Sequence, residues 1–374
     1  MNEYVERAID FAWPDAMKPA YDVVIIGGGG HGLATAYYLA KQHGITNVAV
    51  VEADYVASGN TGRNTTIIRA NYGIPEAIRF YHRSLKLYEG LEDETGGKIL
   101  HWKRPILWIA HTEGALRTER ARVLLNQAMG VNTVFVTPQE IKEAVPEIDL
   151  TGGGRYPVLG ASYHLEAATA RHDRVAWAFA AAATAKGVHL IQHRPVTGLL
   201  RDGERVVGVE TAQGPIRAGV VLSAVGGRVT QVAAMAGVRL PIRTHPLHAF
   251  VTNDYAPGLG AIVASTELSC YASQTERGQM LIGAEFDSQP SYSRVSSYDA
   301  LRSYAYKMSR LLPFLRSMRI LRTWAGLCDI SADYSPIMSA TGIPGFYVTT
   351  GWGTWGFKAI PAGGEGMAHL IAAG

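Results

Sequence analysis

The sequence predicts a mixed α/β fold in which a parallel-sheet dinucleotide-binding domain is interrupted by an antiparallel-sheet domain. Three observations carry this. The apolar run Val23-Val-Ile-Ile26 breaks into glycines at Gly27 to Gly30 and resumes, from His31 to Ala40, with helical spacing. A second run, Val48-Ala-Val-Val51, ends on Glu52, roughly 20 residues after Gly32, where a second parallel strand places a carboxylate for ribose hydroxyls. Strand-like runs then return after helical ones as far as Phe346-Tyr-Val-Thr-Thr350, with a stretch of alternating segments between.

The glycine turn comes first. Gly27, Gly29 and Gly32 fit G-x-G-x-x-G. That spacing permits a tight turn, lets backbone amides approach a pyrophosphate, and packs the helix against the strand, with the helix N-terminus as the positive end. Spacing alone does not separate NAD from FAD.

Composition excludes several classes. A chain of 374 residues with 47% hydrophobic content builds two domains or one large interrupted one. Net charge is +3, and no Lys/Arg block marks a nucleic-acid or lipid surface. Cys270 and Cys328 lack metal-ligand spacing and form no disulfide framework, so they read as buried thiols of a reducing compartment, with no metal site. The first ten residues are charged where a signal peptide needs an apolar stretch, and no apolar run approaches 18 residues, so the expected location is cytoplasmic, without membrane contact.

Along the chain, residues 1–20 read as an arm carrying Phe11 and Trp13. Residues 57–66 are small and polar, a loop suited to approach a ligand, and lead into Ile67-Ile68-Arg69. Residues 75–92 have helical periodicity, and 106–110, entered through Pro105, read as a strand. A helix follows over 113–129, and Thr137-Pro-Gln-Glu140 opens another with a capping box. Residues 160–164 read as a strand, and a helix over about 173–186 is closed by Gly187, with His172 just before it. Strands at 188–191, 196–200, 206–210 and 216–222 come next, turning at Asp202-Gly203 and Gln213-Gly214. Alternating segments at 248–252 and 279–283 and a helix over 298–312 mark the second domain. The expected division is 1–90, 146–239 and 325–374 for the nucleotide domain, and 91–145 and 240–324 for the substrate domain.

Five stretches, VVIIGGGGHGLATAYYLAKQHGITNVAVVE, GRNTTIIRANY, ARHDRVAWAF, ILRTWAG and GWGTWGFK, occur in this order. Together they resemble the beta subunits of heterotetrameric sarcosine oxidases, in the FAD-dependent amine and amino-acid oxidase superfamily, from about residue 21 to the C-terminus. The resemblance implies a FAD-binding Rossmann-like domain of the glutathione-reductase/D-amino-acid-oxidase type, interrupted by an antiparallel-sheet substrate domain. It implies non-covalent FAD, and FMN bound covalently through a histidine that falls at His172, at the junction with an alpha subunit that carries NAD and a folate-related domain. Gamma and delta subunits complete such complexes. Arg171 and Arg174 flank His172 and place positive charge beside the flavin. The implied cofactor residues are Gly27, Gly29, Gly30, His31, Gly32, Glu52, Asn60, Arg63, Asn64, Thr65, Thr66, Arg171, His172, Val196, Ala224, Gly226, Arg322, Gly353, Thr354, Gly356, Phe357 and Lys358.

The implied reaction is oxidation of a secondary-amine amino acid, hydride leaving the carbon beside the neutral amine for FAD, with electrons passing to FMN and then to dioxygen or another acceptor. Arg69 and Lys358 match the positions that hold the substrate carboxylate, the first as a directional fork and the second as a point charge. Two departures point away from sarcosine itself. Trp355 stands where the family's GWGTGGFK pattern has a small residue, and residues 100–108 differ in a region that faces substrate. Related complexes act on proline, hydroxyproline or N-methylglutamate. A subunit that only relays electrons is the competing reading, and it needs no carboxylate clamp.

Overall fold

Strand Ala20–Ile26 is flanked on both edges, pairing in parallel with Ile216–Ser223 on one side and Val48–Val51 on the other. This follows from its composition, because a parallel strand buried on both faces reads as an unbroken apolar run, and Val23 to Ile26 are all buried. His189–Ile191 extends the sheet beyond Val48–Val51, and Phe346–Thr350 joins the free edge of Ile216–Ser223. A meander of Val196–Asp202 and Arg205–Thr211 completes that edge, and Ile337–Ala340 covers Phe346–Thr350. The computed structural model describes residues 17–256 and 258–374; up to residue 16, the expected N-terminal arm lies outside them.

Helices Gly30–His43, His172–Thr184 and Gly356–Ala373 share one core on this sheet, built from Leu33, Tyr37, Tyr38, Phe179, Ile360 and Met367 among others. The other face buries Val24, Val51 and Val221 under Val232 and Ala236. The helix expected over 75–92 is interrupted at Gly90, giving Pro75–Glu89 and a short helix Leu91–Thr95. The capping box is present: Thr137 N donates to Glu140 Oε2 at 2.7 Å and Glu140 N to Thr137 Oγ1 at 3.4 Å.

The second sheet runs, in order, Ile320–Ser331, Ile242–Asp254, Gln279–Phe286, Cys270–Gln274, Ile262–Ser265, Ile106–Ala110, Gly160–His164 and Thr133–Val136. All pairs are antiparallel except Ile262–Ser265 with Ile106–Ala110. Helix Tyr298–Leu311 seals its core through Tyr304, Met308 and Leu311. Gly160–His164 therefore belongs here although residues 146–239 were expected to return to the nucleotide domain, and Ile320–Ser331 crosses the boundary expected at 325. Alternation in a short segment announces a half-buried strand but does not say which sheet it joins. A small third sheet, in which Ile67–Ile68 and Trp102–Lys103 both pair with Ala168–Thr169, ties the polar loop to the rest. Among the described residues, no helix is long and apolar enough to cross a membrane.

Candidate active site

Between the two sheets lies a cavity of about 1050 Å³. Its first end is the glycine turn. Gly27 has φ +110°, and a Cβ there would meet the Ala224 carbonyl oxygen at 2.5 Å; one on Gly32 would meet that of Gly27 at 2.1 Å. These two glycines are required by the turn and the helix–strand approach. Gly29 instead has room for a Cβ, whose nearest neighbour would be Thr61 Oγ1 at an ordinary contact distance of 3.4 Å. The helix that starts here has no acidic residue in its first turn and no side-chain cap from Gly29; its Gly30 amide donates to Thr61 Oγ1 at 2.9 Å, and its N-terminus presents positive charge to an anion. Glu52 closes the turn: its Oε2 accepts from Gly28 N at 2.7 Å and its Oε1 from Asp54 N at 3.0 Å.

The polar loop fastens itself to the wall. Asn60 exchanges two hydrogen bonds with the Leu327 backbone, its Oδ1 accepting from Leu327 N at 2.7 Å. Arg63 donates to the Ser58 and Gly59 carbonyls, and its own carbonyl accepts from Trp324 Nε1 at 2.7 Å. Thr66 N donates to Asn64 Oδ1 at 2.6 Å, and the Thr65 hydroxyl bonds that of Tyr271, whose pKa burial pushes up to about 12. His31 stacks on Trp352 at 4.2 Å and bonds the Gly356 carbonyl through Nε2 at 2.9 Å; burial holds its pKa at about 4, so the ring is neutral.

At the other end, two buried cations have no carboxylate partner among the described residues. Arg69 donates to the Asn71 carbonyl at 3.2 Å and to Asn71 Oδ1 at 3.0 Å, and its guanidinium lies 4.3 Å from the Tyr72 ring and 4.5 Å from that of Trp108. Lys358, in the first turn of Gly356–Ala373, has one bond, to the Thr354 carbonyl at 3.3 Å. Burial and then the charge of Arg69 hold its ammonium well below the ordinary lysine value. Asn71 Nδ2 and the Tyr72 hydroxyl are buried beside them without partners. Trp355 stands edge-on to Tyr72 at 5.1 Å and forms part of the wall.

Asp329, which the sequence did not single out, organises this end: its Oδ2 accepts from Thr350 Oγ1 at 2.9 Å and Gly351 N at 2.7 Å, at the turn leading to Lys358. Tyr271, Arg122 and Arg294 also line the cavity. Their signal is tertiary, since none sits in a local pattern that marks a site.

The expected residues divide as follows. Gly27, Gly29, Gly30, His31, Glu52, Asn60, Arg63, Asn64, Thr65, Thr66, Arg69, Val196, Ala224, Gly226, Gly353, Thr354, Gly356, Phe357 and Lys358 all line this cavity. Gly32 packs behind it. Arg322 does not reach it: the residue is paired with Val251 at the start of Ile320–Ser331, where Ile320 to Thr323 are all exposed. His172 and Arg171 are also outside. His172 opens helix His172–Thr184, with its Nδ1 buried and unbonded and its pKa lowered by burial. Arg171 pairs with Asp173 at 3.0 Å and with Glu276 at 3.1 Å, and Glu276 lines a second, shallower cavity of about 530 Å³ with Trp102, Arg104 and Arg277.

The FAD dependent oxidoreductase family, DAO, matches residues 22–370. The chain is 45% identical to sarcosine oxidase subunit beta of Arthrobacter sp over 373 residues, covering 100% of this chain and 92% of that one. It is 41% identical to the same subunit of Rhodobacter capsulatus, covering 96% and 86%. Among solved structures it is similar to L-proline dehydrogenase from P. horikoshii, with TM-score 0.89 and 29% identity over 95% of this chain and 94% of that one. Glycine oxidase from Geobacillus kaustophilus shares the fold, with TM-score 0.84 and 22% identity over 95% of each.

Proposed function

Because this chain belongs to the DAO family of FAD-dependent oxidoreductases and, within it, to the sarcosine oxidase beta subunits, we propose that it oxidises a secondary-amine amino acid as one subunit of a larger complex. The observation that carries this reading is the pair Arg69 and Lys358, two buried cations on one cavity with no carboxylate in an ion pair with either among the described residues. A buried charge is stable only when paired, so the missing partner belongs to the ligand.

FAD supplies the hydride acceptor. The N-terminus of helix Gly30–His43 and the Glu52 carboxylate are the groups that would hold its pyrophosphate and ribose. Arg69, braced by Asn71, Tyr72 and Trp108, orients the substrate carboxylate as a fixed fork, and Lys358 adds charge. The same cations disfavour an ammonium beside them, so the amine is bound neutral and its lone pair is available without a side-chain base. The aromatic wall of Tyr72, Trp108 and Trp355 excludes water.

His172 is the residue we assign to covalent FMN. An imidazole held neutral, partly exposed and with an unbonded Nδ1 suits a nucleophile, and Arg171 supplies charge nearby. FMN held there would supply a one-electron or two-electron relay toward dioxygen or another acceptor, and we place this site at the junction with an alpha subunit that binds NAD and a folate, with gamma and delta subunits completing the complex. A cyclic amine, proline or hydroxyproline, is the second reading, favoured by the likeness to the L-proline dehydrogenase.

Anaerobic mixing of the co-purified complex with sarcosine, L-proline and N-methylglutamate tests the activity: one of them bleaches the FAD, whereas an electron-relay subunit stays yellow with all three. Acid precipitation followed by peptide mass analysis tests the linkage. Retention of FMN on the peptide containing His172 is expected, and quantitative release to the supernatant rejects it.

A further inference from the structure

Arg122 lines the same end of the cavity and has no part in the reading above. It stands on helix Glu113–Ala128, one turn beyond Glu119, whose Oε1 lies 3.1 Å from Arg122 Nη1. The other oxygen of Glu119 accepts the Ser162 hydroxyl at 2.5 Å. Arg122 Nε is buried with no hydrogen-bond partner. The guanidinium lies 5.5 Å from the Trp108 ring, the same indole that Arg69 approaches to 4.5 Å.

One indole thus carries two guanidinium groups, and Glu119 is the one carboxylate among the described ion pairs that meets either. Glu267, also near Glu119, is exposed and accepts the His111 N–H at 2.9 Å. Asp329 is committed to Thr350, Gly351 and Trp352. Three like charges therefore share this end of the cavity with one internal carboxylate among the described ion pairs, and that arrangement is unfavourable until a further anion enters. A guanidinium has five N–H donors in a planar fork, suited to a bidentate carboxylate. The indole of Trp108, which both forks approach, gives this end an apolar surface, and that matches a short methylene chain joining two carboxylates.

We propose that Arg122 is a specificity-determining residue that takes the side-chain carboxylate of a dicarboxylic secondary amino acid, while Arg69 takes the α-carboxylate. The substrate class is that of N-methylglutamate. The assignment rests on the secondary-amine reading of the cavity, and Glu119 acts as the internal partner that the substrate relieves.

The test compares N-methylglutamate with its neutral isostere N-methylglutamine, using the co-purified complex. A preference of about tenfold or more in kcat/KM for the dicarboxylate, residing in KM, is expected for a charge-assisted pair. Arg122→Gln brings the ratio to about one, and Arg122→Lys recovers part of it. Glu119→Gln, which keeps the Ser162 hydrogen bond but removes the internal competitor, lowers KM for N-methylglutamate. A ratio of one or less in the unmodified complex overturns the proposal without any variant, as does a preference that survives Arg122→Gln. A second measurement needs no turnover: glutarate perturbs the flavin absorbance at lower concentration than butyrate, and Arg122→Gln removes the difference. If no amine bleaches the flavin, the secondary-amine reading falls while the glutarate comparison still decides the role of Arg122; equal glutarate and butyrate affinities reject that role.

Discussion

The two ends of the cavity are built on opposite principles. At the glycine turn, polar groups find partners within a few residues or across one strand: Glu52 serves Gly28 and Asp54, Thr61 serves Gly30, and Asn64 serves Thr66. At the Arg69 end, Arg69, Asn71, Tyr72 and Lys358 are buried together with no carboxylate in an ion pair with either cation among the described residues, and the half-buried Arg122 beside them has Glu119 alone. The first end is a finished surface whose shape is complementary to a ligand. The second is electrostatically incomplete, and its stability improves when a carboxylate enters, so affinity there is stored in the protein as unpaired charge.

The largest effect that separates the two ends comes from Gly32. A Cβ there overlaps the Gly27 carbonyl at 2.1 Å, so Gly32→Val abolishes FAD loading, read as flavin-to-protein stoichiometry after purification. A variant that retains a full complement of flavin shows that the turn does not constrain the site as described.

Arg69→Ala comes next and acts on the other end alone. Flavin content stays at its original level while kcat/KM for the best amine falls on the order of a thousandfold, equivalent to about 4 kcal/mol. Arg69→Lys restores a minor part, because an ammonium lacks the fork. Unchanged turnover in Arg69→Ala removes the carboxylate assignment.

Behind Arg69, His164 Nε2 accepts from Ala70 N at 3.3 Å and its Nδ1 faces the Asn132 carbonyl at 3.1 Å. Burial holds its pKa at about 4, against 6.5 for a solvated histidine. Between these values the unfolded chain takes up a proton that the native ring refuses. Stability is therefore full above pH 6.5 and declines by up to roughly 3 kcal/mol as the pH falls to about 4. His31 at the first end has the same depressed value and adds a parallel loss. His164→Gln removes one of the two contributions, and urea midpoints at pH 7 and pH 5 report it as a smaller acid shift. An identical acid shift in the variant and the parent excludes His164 as a contributor.

The smallest effect lies away from both ends. Thr137→Ala removes the capping box of helix Pro138–Ala144 and costs about 1 kcal/mol in the denaturation midpoint. Flavin content and kcat/KM do not change, which makes it a control for general destabilisation.

Local signals were legible wherever partners lie close in sequence. The turn and helix from Gly27 to His43 and the capping box at Thr137 are each set by contacts within one short segment and appear as the residues dictate, whereas the polar loop ahead of Arg69, marked by its composition, is held by Leu327, Trp324 and Tyr271. The sheet to which Gly160–His164 belongs was not legible, because a two-residue period identifies a face and leaves the neighbour open. Arg69 and Arg322 make the same point for the site. Both sit in motif-like stretches, yet one is buried between two aromatic rings and the other is exposed on its strand.

The chain by itself therefore determined a dinucleotide turn, its second-strand carboxylate and the alternation of helices and strands, since these depend on backbone conformation and on spacing along one segment. Only the tertiary structure decided that Arg69, Arg122 and Lys358 converge, that Asp329 organises the turn before Lys358, and that His172 lies outside this cavity. Burial without a partner is a property of several distant segments packed together. No window of sequence contains it, and it is what makes that end of the cavity demand an anion.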